Sequence, residues 1–198
     1  MARFVSLDCE YVSVGMPGEA RPDPLQRVTE VVQIGAIKVS GAGEELGRLK
    51  VLIKPTHVTM QCPGTDWAWF QHFTGLSYDL LMREGMAFHD AWAVLCGFAS
   101  DAEHMVVMKG DPEVLEQDCR ARLNKQDVAL FSERKLTRVK LELASLLARA
   151  GLPVDEHKDK CSGELHTLVP PNELRFPLPG GATHDALFDA VSMANFLV

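Results

Sequence analysis

The sequence predicts a three-layer α/β or α+β domain, because its predicted strands come first and helices then alternate with short apolar strands. Three early segments rich in β-branched and apolar residues predict an antiparallel meander, and they are 3–8, 28–39 and 46–54. A fourth short apolar segment, 105–108, predicts a buried strand. Apolar residues at three- and four-residue spacing predict helices, which cover 77–83, 88–99, 139–150 and the segment from 184 onward.

The ends of these predicted elements coincide with residues that favour loops or helix termini. Prolines and glycines between residues 12 and 27 predict a loop after the first strand, and Pro55 ends the third strand. Asp111 and Pro112 predict the N-cap and first residue of a helix that continues to about residue 123. Gly151 follows the helix predicted over 139–150 and ends it.

The composition is that of a folded domain. Of the 198 residues, 46% are hydrophobic and 24% are charged, which excludes intrinsically disordered and fibrous classes. The length predicts a single domain over residues 1–198, and an apolar helix that reaches Val198 without a cap favours its excision from a longer chain. The sequence has no signal peptide and no apolar run that could span a membrane, so we expect an intracellular protein, cytoplasmic or nuclear, without membrane partners.

The charge and the cysteines exclude further classes. The net charge of −7 argues against binding of nucleic acid by bulk positive charge. Any such contact must use metal ions or a local basic patch, for which the candidates are Arg134, Lys135, Arg138 and Lys140. The five cysteines are odd in number and form no C-x-x-C pair, so no disulfide scaffold is expected.

Two carboxylates lie at the end of the first predicted strand. Asp8 and Glu10 are two residues apart, so on a strand their side chains share a face. Like charges this close repel each other unless a cation lies between them, and oxygen ligands favour Mg²⁺ or Mn²⁺. A solvated strand face is the alternative interpretation, but the apolar residues Phe4, Val5 and Leu7 favour a buried strand.

A second acidic pattern opens the last predicted helix. His184 lies at the helix start, and Asp189 follows five residues later among apolar neighbours. These neighbours indicate that Asp189 faces a polar site. In the alternative interpretation, Asp185 is only the helix cap and Asp189 is a surface acid.

A third acid follows the strand predicted over 105–108. Lys109, Gly110 and Asp111 lead directly into the next helix. Taken alone, this pattern is typical of an ordinary strand-to-helix junction.

In this order, the D-x-E pair, the acid after a middle strand and the H-x-A-x-x-D-A pattern resemble the DEDDh, or DnaQ-like, 3′–5′ exonucleases. Residues 30–37 look like that family's second strand, with its Ile-Gly-Ala signature. Residues 74–77, Thr-Gly-Leu-Ser, look like its threonine-glycine-isoleucine motif, and residues 86–92 look like the phenylalanine-x-x-valine motif that follows it. The resemblance implies a ribonuclease-H-like three-layer fold in which helices flank a central mixed sheet of five strands.

The same resemblance implies a two-metal exonuclease. Such an enzyme would release nucleoside 5′-monophosphates from the 3′ end of single-stranded or overhanging nucleic acid, with RNA favoured over DNA. Four carboxylates of the family hold two Mg²⁺ or Mn²⁺ ions. The corresponding metal-binding and catalytic residues here are Asp8, Glu10, Asp111 and Asp189, with His184 as the general base. Glu113 is the alternative to Asp111, because residues 109–113 depart from the family pattern.

Some residues are expected to contact the substrate, and they are Cys9, Tyr11, Lys109 and His184. Tyr11 lies where relatives place a residue beside the terminal nucleotide, and a core position is its alternative. Three aromatic residues in a short predicted helix are either core residues or a platform for stacking bases, and they are Trp67, Trp69 and Phe70.

Two histidines and a cysteine that lie close together in the sequence do not predict a metal site. His157, Cys161 and His166 form an H-x3-C-x4-H run in a polar segment. Zinc requires three or four convergent ligands, and scattered ligands in a charged segment give no such convergence. We therefore expect no structural zinc.

Other classes of function fit the sequence less well. The irregular middle motif favours one alternative, a catalytically silent module on the same fold that binds nucleic acid or a protein. P-loop enzymes are excluded because the sequence has no G-x-x-x-x-G-K-[ST] motif. A Rossmann enzyme is excluded because Gly41 and Gly43 lie in a predicted hairpin turn and not before a helix.

Overall fold

The computed structural model describes residues 3–14, 28–62, 65–108, 111–123, 137–141, 151–152, 162–180 and 184–198, with residues 28, 108, 111–113, 137–141 and 162–163 described by their backbone. The strands are β1 (Phe4–Val14), β2 (Val28–Val39), β3 (Glu45–Leu52), β4 (His104–Met108) and β5 (Thr137–Leu141). The α-helices are α1 (Trp67–Thr74), α2 (Tyr78–Glu84), α3 (Phe88–Phe98), α4 (Asp111–Arg122) and α5 (Ala186–Leu197). Two 3-10 helices cover Ser162–Leu168 and Pro171–Glu173.

The strands form one mixed sheet in the order β3-β2-β1-β4-β5. The first three strands pair antiparallel, as the predicted meander requires. Strand β4 then pairs parallel with β1, and β5 pairs parallel with β4. The mixed α/β class predicted from the sequence is therefore confirmed.

Two sequence predictions for the strands were wrong. Strand β1 extends to Val14, into the loop predicted from residue 12, because residues 11–14 continue the ladder opposite residues 28–31 of β2. The helix predicted over 139–150 conflicts with β5, because residues 138–141 alternate polar and apolar side chains and the strand pairs with β4. Residues 142–150 lie outside the described residues.

The helices between β3 and β4 begin and end at the residues that favour such boundaries. Asp66 accepts a hydrogen bond from the Trp69 amide and caps α1, and Ser77 accepts one from the Leu80 amide and caps α2. Gly75 adopts the left-handed conformation, with φ of 75°, and ends α1. Helices α2 and α3 therefore lie within one residue of the predicted bounds.

The helices cover both faces of the sheet. Val5, Leu7 and Cys9 of β1 point to one face and join a buried cluster that contains residues of α3 and α4. The other face packs against α5, where the Ser6 hydroxyl donates to the Ala190 carbonyl over 2.9 Å. Since successive strand residues alternate between faces, Asp8 and Glu10 lie on the α5 side. No helix within the described residues is long and apolar enough to cross a membrane.

Helix α4 is joined to β2 by buried charged residues, here named the Arg122 cluster (Glu30, Asp118 and Arg122). The Arg122 guanidinium pairs with the Asp118 carboxylate and lies 3.6 Å from the Glu30 carboxylate. It also donates to the Val31 carbonyl over 2.8 Å. The Asp118 carboxylate accepts the Val31 amide over 2.7 Å. These bonds orient α4, the helix that begins at Asp111.

The Glu30 carboxylate has a second set of donors in the same cluster. It accepts the backbone amides of residues 56, 57 and 58 at distances from 2.8 to 3.1 Å. Buried charges are tolerated when they are both paired and hydrogen-bonded. The Arg122 cluster meets both conditions.

Candidate functional site

Strand β1 presents its two carboxylates toward α5. Asp8 is buried, and Glu10 is partly exposed beside the point where the β1–β2 register shifts between Glu10 and Tyr11. A bulge of this kind re-aims the side chains that follow it and is common next to functional sites. Tyr11, the next residue, is exposed.

Helix α5 approaches this face closely because β2 carries a glycine there. Gly35 is the β2 residue opposite Asp8. A Cβ atom at Gly35 would lie 2.0 Å from the Ala186 carbonyl carbon and from the Leu187 amide nitrogen. Only a glycine leaves room for the first turn of α5 at this position.

Gln33 fixes the same turn. Its buried side-chain oxygen accepts the Ala186 amide over 2.8 Å. Gln33 also lies opposite Glu10 in the β1–β2 ladder, so one residue of β2 adjoins both the acid and the helix start. Neither Gln33 nor Gly35 was predicted to be a site residue, although a glycine inside an apolar strand signals a close approach.

Asp185 is the N-cap of α5. One of its carboxylate oxygens accepts the amides of Leu187 and Phe188 over 3.1 and 3.3 Å. The other oxygen pairs with the Lys50 ammonium group. The interpretation of Asp185 as a cap is therefore correct, whereas Asp189 is only 3% exposed and is not a surface acid.

Glu10, His184 and Asp189 converge where β1 meets the start of α5, and they form what we call the acid–histidine cluster. One ligand atom from each of the three residues lies within 4.8 Å of the others. The His184 amide donates to the Asp189 carboxylate over 3.2 Å. His184 has φ of 67°, a left-handed conformation that is uncommon outside glycine and is typical of functional sites.

The surroundings of His184 favour its neutral form. Burial lowers the pKa of the imidazole below its usual value, and the negative charge of Glu164 opposes this shift. The ring packs against Phe73 with 4.2 Å between ring centroids. A neutral imidazole can accept a proton, as a general base must. Glu164 was not singled out in the sequence, because only the fold brings the 3-10 helix Ser162–Leu168 near His184.

The donor set of the acid–histidine cluster fits a divalent cation. It offers carboxylate oxygens from Glu10 and Asp189 and a ring nitrogen from His184. Oxygen ligands suit Mg²⁺ and Mn²⁺, and an imidazole among them also admits Zn²⁺. Asp8 lies on the same strand face, two residues before Glu10, but is not a member of this group among the described residues.

Four further predicted site residues are Cys9, Asp111, Glu113 and Lys109. Cys9 lies in the core on the opposite face of β1, so its side chain does not line the acid–histidine cluster, and its contact with substrate stays a prediction. Asp111 and Glu113 lie in the first turn of α4, and their side chains are outside the described part of the chain. Lys109 is also outside it.

The predicted zinc run and basic patch are described only in part. His157 and Cys161 lie outside the described residues, as do Arg134 and Lys135. Arg138 and Lys140 belong to β5, described by its backbone. The third member of the zinc run, His166, donates its amide to the Ser192 hydroxyl of α5 over 2.9 Å.

Solved structures share this fold. An exonuclease I from Methylocaldum szegediense superposes with a TM-score of 0.61 and 14% sequence identity, and the match covers 98% of this chain and 39% of that protein. E. coli exonuclease I in complex with a dA16 oligonucleotide gives a TM-score of 0.58 at 13% identity, with 98% and 39% covered. The zinc-bound complex of E. coli exonuclease I with single-stranded DNA gives 0.62 at 14% identity, again with 98% and 39% covered.

These similarities establish the fold and extend no further. The chain spans about two fifths of the length of the exonuclease I structures, 39% in each of the three. No family model matches the chain, and no curated protein matches it. The chain thus shares the ribonuclease-H-like fold of exonuclease I.

Proposed function

We propose that this protein is a metal-dependent 3′–5′ exonuclease that hydrolyses single-stranded nucleic acid. The observation that carries the proposal is the convergence of Glu10, His184 and Asp189 at the junction of β1 and α5. Two acids and a neutral imidazole beside a strained helix start are a suitable arrangement for hydrolysis of a phosphodiester. The exonuclease I fold gives this chemistry its most direct precedent.

His184 is the proposed general base. It takes a proton from the attacking water onto an imidazole nitrogen while the water oxygen forms a bond to phosphorus. The bond from phosphorus to the 3′ oxygen of the penultimate nucleotide breaks, and that oxygen gains a proton from solvent. The products are a nucleoside 5′-monophosphate and a strand shortened by one nucleotide.

The proposed metal ligands are the two acids of β1, one acid of α5 and one acid of α4. Glu10 and Asp189 belong to the acid–histidine cluster, and Asp8 adjoins them on β1. Asp111 is the proposed fourth ligand, with Glu113 as its alternative in the same helical turn. Bound divalent ions would neutralise the phosphate and polarise the attacking water. This neutralisation matters in a chain whose net charge is −7.

The proposed substrate is a strand with a free, unpaired 3′ end. The oligonucleotides in the similar E. coli structures are single-stranded DNA, so DNA is the first substrate to test. RNA, which the family resemblance favours, is tested beside it. The choice of sugar depends on contacts to the 2′-hydroxyl.

A degradation assay tests the proposal. Single-stranded DNA, single-stranded RNA and the corresponding duplexes, each labelled at the 5′ end, are incubated with Mg²⁺, Mn²⁺ or EDTA. We expect a ladder that shortens from the 3′ end of the single strands with either ion and disappears with EDTA. Strands that stay intact under every metal condition would contradict the proposal, and strands that are bound but never cut would favour the catalytically silent module.

Matched variants link any cleavage to the acid–histidine cluster. Asp189→Asn replaces one carboxylate and keeps an oxygen that accepts the His184 amide. Asp101→Asn is the same substitution at an exposed acid that pairs with Arg3 and Lys38, at the opposite end of β1. We expect Asp189→Asn to abolish the ladder and Asp101→Asn to retain it. Equal activity of the two variants would remove the cluster from the mechanism.

A further inference from the structure

Helix α1 carries two aromatic side chains outward, and we name them the aromatic platform (Trp69 and Phe73). Trp69 is 58% exposed and Phe73 is 45% exposed. They lie four residues apart, on one face of the helix, and their rings stack with centroids 5.0 Å apart and planes 21° apart. An exposed tryptophan stacked on an exposed phenylalanine presents a flat apolar surface to solvent.

Two other aromatic side chains of the same helix point into the core. Trp67 and Phe70 are buried and meet edge to face, with centroids 5.6 Å apart. The Trp67 indole also donates to the Thr59 carbonyl over 3.2 Å. Trp67 and Phe70 are therefore core residues, and the platform is not needed to hold α1 in place.

The platform adjoins the acid–histidine cluster. Phe73 contacts Trp69 on one side and the His184 ring on the other, with 4.2 Å between the Phe73 and His184 centroids. A continuous row of rings thus leads from the proposed general base out to the exposed indole of Trp69.

We propose that the aromatic platform binds the unpaired bases at the 3′ end of the strand by stacking, an inference that rests on the proposed exonuclease function. Every base has a π-face, so stacking holds a strand without regard to its sequence. Bases within a duplex are paired and stacked on both sides, so an unpaired end offers more free base faces than a duplex end, and the platform favours it. Stacking also needs no positive charge, which suits a chain with a net charge of −7.

The test compares strands with and without bases. Binding is measured by fluorescence anisotropy in an Asp8→Asn background, so that the strand stays whole if the exonuclease function holds. One oligonucleotide carries normal bases, and the other is abasic at its last four nucleotides. We expect Trp69→Ala to weaken binding of the normal strand about 5- to 100-fold and binding of the abasic strand less than about twofold.

Two further variants separate stacking from a general loss of structure. Trp69→Phe keeps an aromatic face and should restore most of the affinity. Leu46→Ala removes an apolar side chain of β3 that is as exposed as Phe73, and it should leave binding unchanged. Because Trp67 and Trp92 are buried, quenching of tryptophan fluorescence by the strand should also disappear in Trp69→Phe.

The outcomes separate this inference from the proposed function. If the wild type shortens the strand but Trp69→Ala binds both strands as the unsubstituted Asp8→Asn protein does, the platform proposal is wrong and the exonuclease proposal stands. If Trp69→Ala weakens both strands equally, stacking on bases is also excluded. Base-dependent binding through Trp69 without any cleavage would support the platform and overturn the exonuclease. A protein that neither binds nor cuts the strands overturns both.

Discussion

Two groups of acids in this domain differ in the basic residue that accompanies them. In the Arg122 cluster, Glu30 and Asp118 surround a guanidinium, and backbone amides supply further donors to both carboxylates. In the acid–histidine cluster, Glu10 and Asp189 converge on an imidazole whose pKa is lowered by burial. An arginine stays charged at every physiological pH, whereas a neutral histidine can exchange a proton. The first arrangement suits a structural role and the second suits chemistry.

This difference predicts opposite responses to substitution. A change in the acid–histidine cluster should affect activity and leave stability nearly intact. A change in the Arg122 cluster should mainly affect stability, because it leaves buried carboxylates without their cation.

His184→Asn should have the largest effect, a loss of cleavage rate. Asparagine tolerates the left-handed conformation of residue 184 but supplies no base. The cleavage rate should fall about 10²- to 10⁴-fold, the range that general-base catalysis contributes. Single-turnover rates measure this loss, and urea unfolding should show a stability change below about 1 kcal/mol.

His89→Asn is the matched control for this variant. His89 is an exposed residue of α3, so the same substitution there should change neither rate nor stability. A cleavage rate for His184→Asn close to that of His89→Asn would show that His184 is not the base.

The second effect is on stability, in Arg122→Met. Methionine keeps most of the side-chain volume but leaves the Glu30 and Asp118 carboxylates buried together. Removal of one partner from a buried ionic group costs about 3–5 kcal/mol. Urea unfolding monitored by circular dichroism measures the cost.

Arg120→Met tests whether the loss of stability in Arg122→Met arises because the Arg122 ion pairs are buried. Arg120 lies on the same helix and pairs with Glu116 at the exposed surface. Loss of such a pair costs about 0.3–0.5 kcal/mol. Similar destabilisation by the two substitutions would mean that the Arg122 cluster is an ordinary surface pair in energetic terms, and the contrast between the two acidic groups would fail.

Gly35→Ala should have the third largest effect, and it should lower both stability and activity. The added methyl group would meet the backbone of Ala186 and Leu187, so α5 must move away from β2. Overpacking of this kind costs about 1–3 kcal/mol, and the displacement carries His184 and Asp189 away from Glu10. Both the unfolding free energy and the cleavage rate should therefore fall.

The same substitution at Gly97 should act in the opposite direction. Gly97 lies in α3, and a methyl group there would meet no atom within 4 Å. Alanine is the better helix former by about 1 kcal/mol, so Gly97→Ala should stabilise the protein without changing its rate. A fully active Gly35→Ala would show that the close approach of α5 is not required.

The sequence predicted the side chains whose placement depends on local periodicity. Alternation along β1 placed Asp8 and Glu10 on one face, and the apolar spacing after His184 predicted α5. The cap at Asp185 is also local, since its carboxylate accepts amides only two and three residues away. Such features need no knowledge of the rest of the fold.

Contacts between distant segments were not predictable from these patterns. Glu30 and Arg122 are ordinary charged residues in the sequence, and only the packing of α4 on β2 brings them together. The division of α1 into a buried pair and the aromatic platform depends on where the sheet lies. Strand β5 was mistaken for part of a helix because its short alternating run precedes a segment with helical spacing.

Asp185→Asn should change stability and activity least of these variants. Asp185 lies one residue from the proposed base, His184. Asp185 caps α5 and pairs with Lys50, so it belongs with the structural acids although it adjoins the acid–histidine cluster. Asparagine caps helices about as well as aspartate, so the stability should change by about 0.5 kcal/mol or less. Asp185→Ala removes the cap and should cost about 1 kcal/mol. Cleavage by Asp185→Asn should stay near the wild-type rate, while Asp189→Asn, four residues later on the same helix, loses it. A loss of activity in Asp185→Asn with unchanged stability would move Asp185 from the structural acids to the catalytic ones, and would show that proximity to His184 matters more than pairing with Lys50.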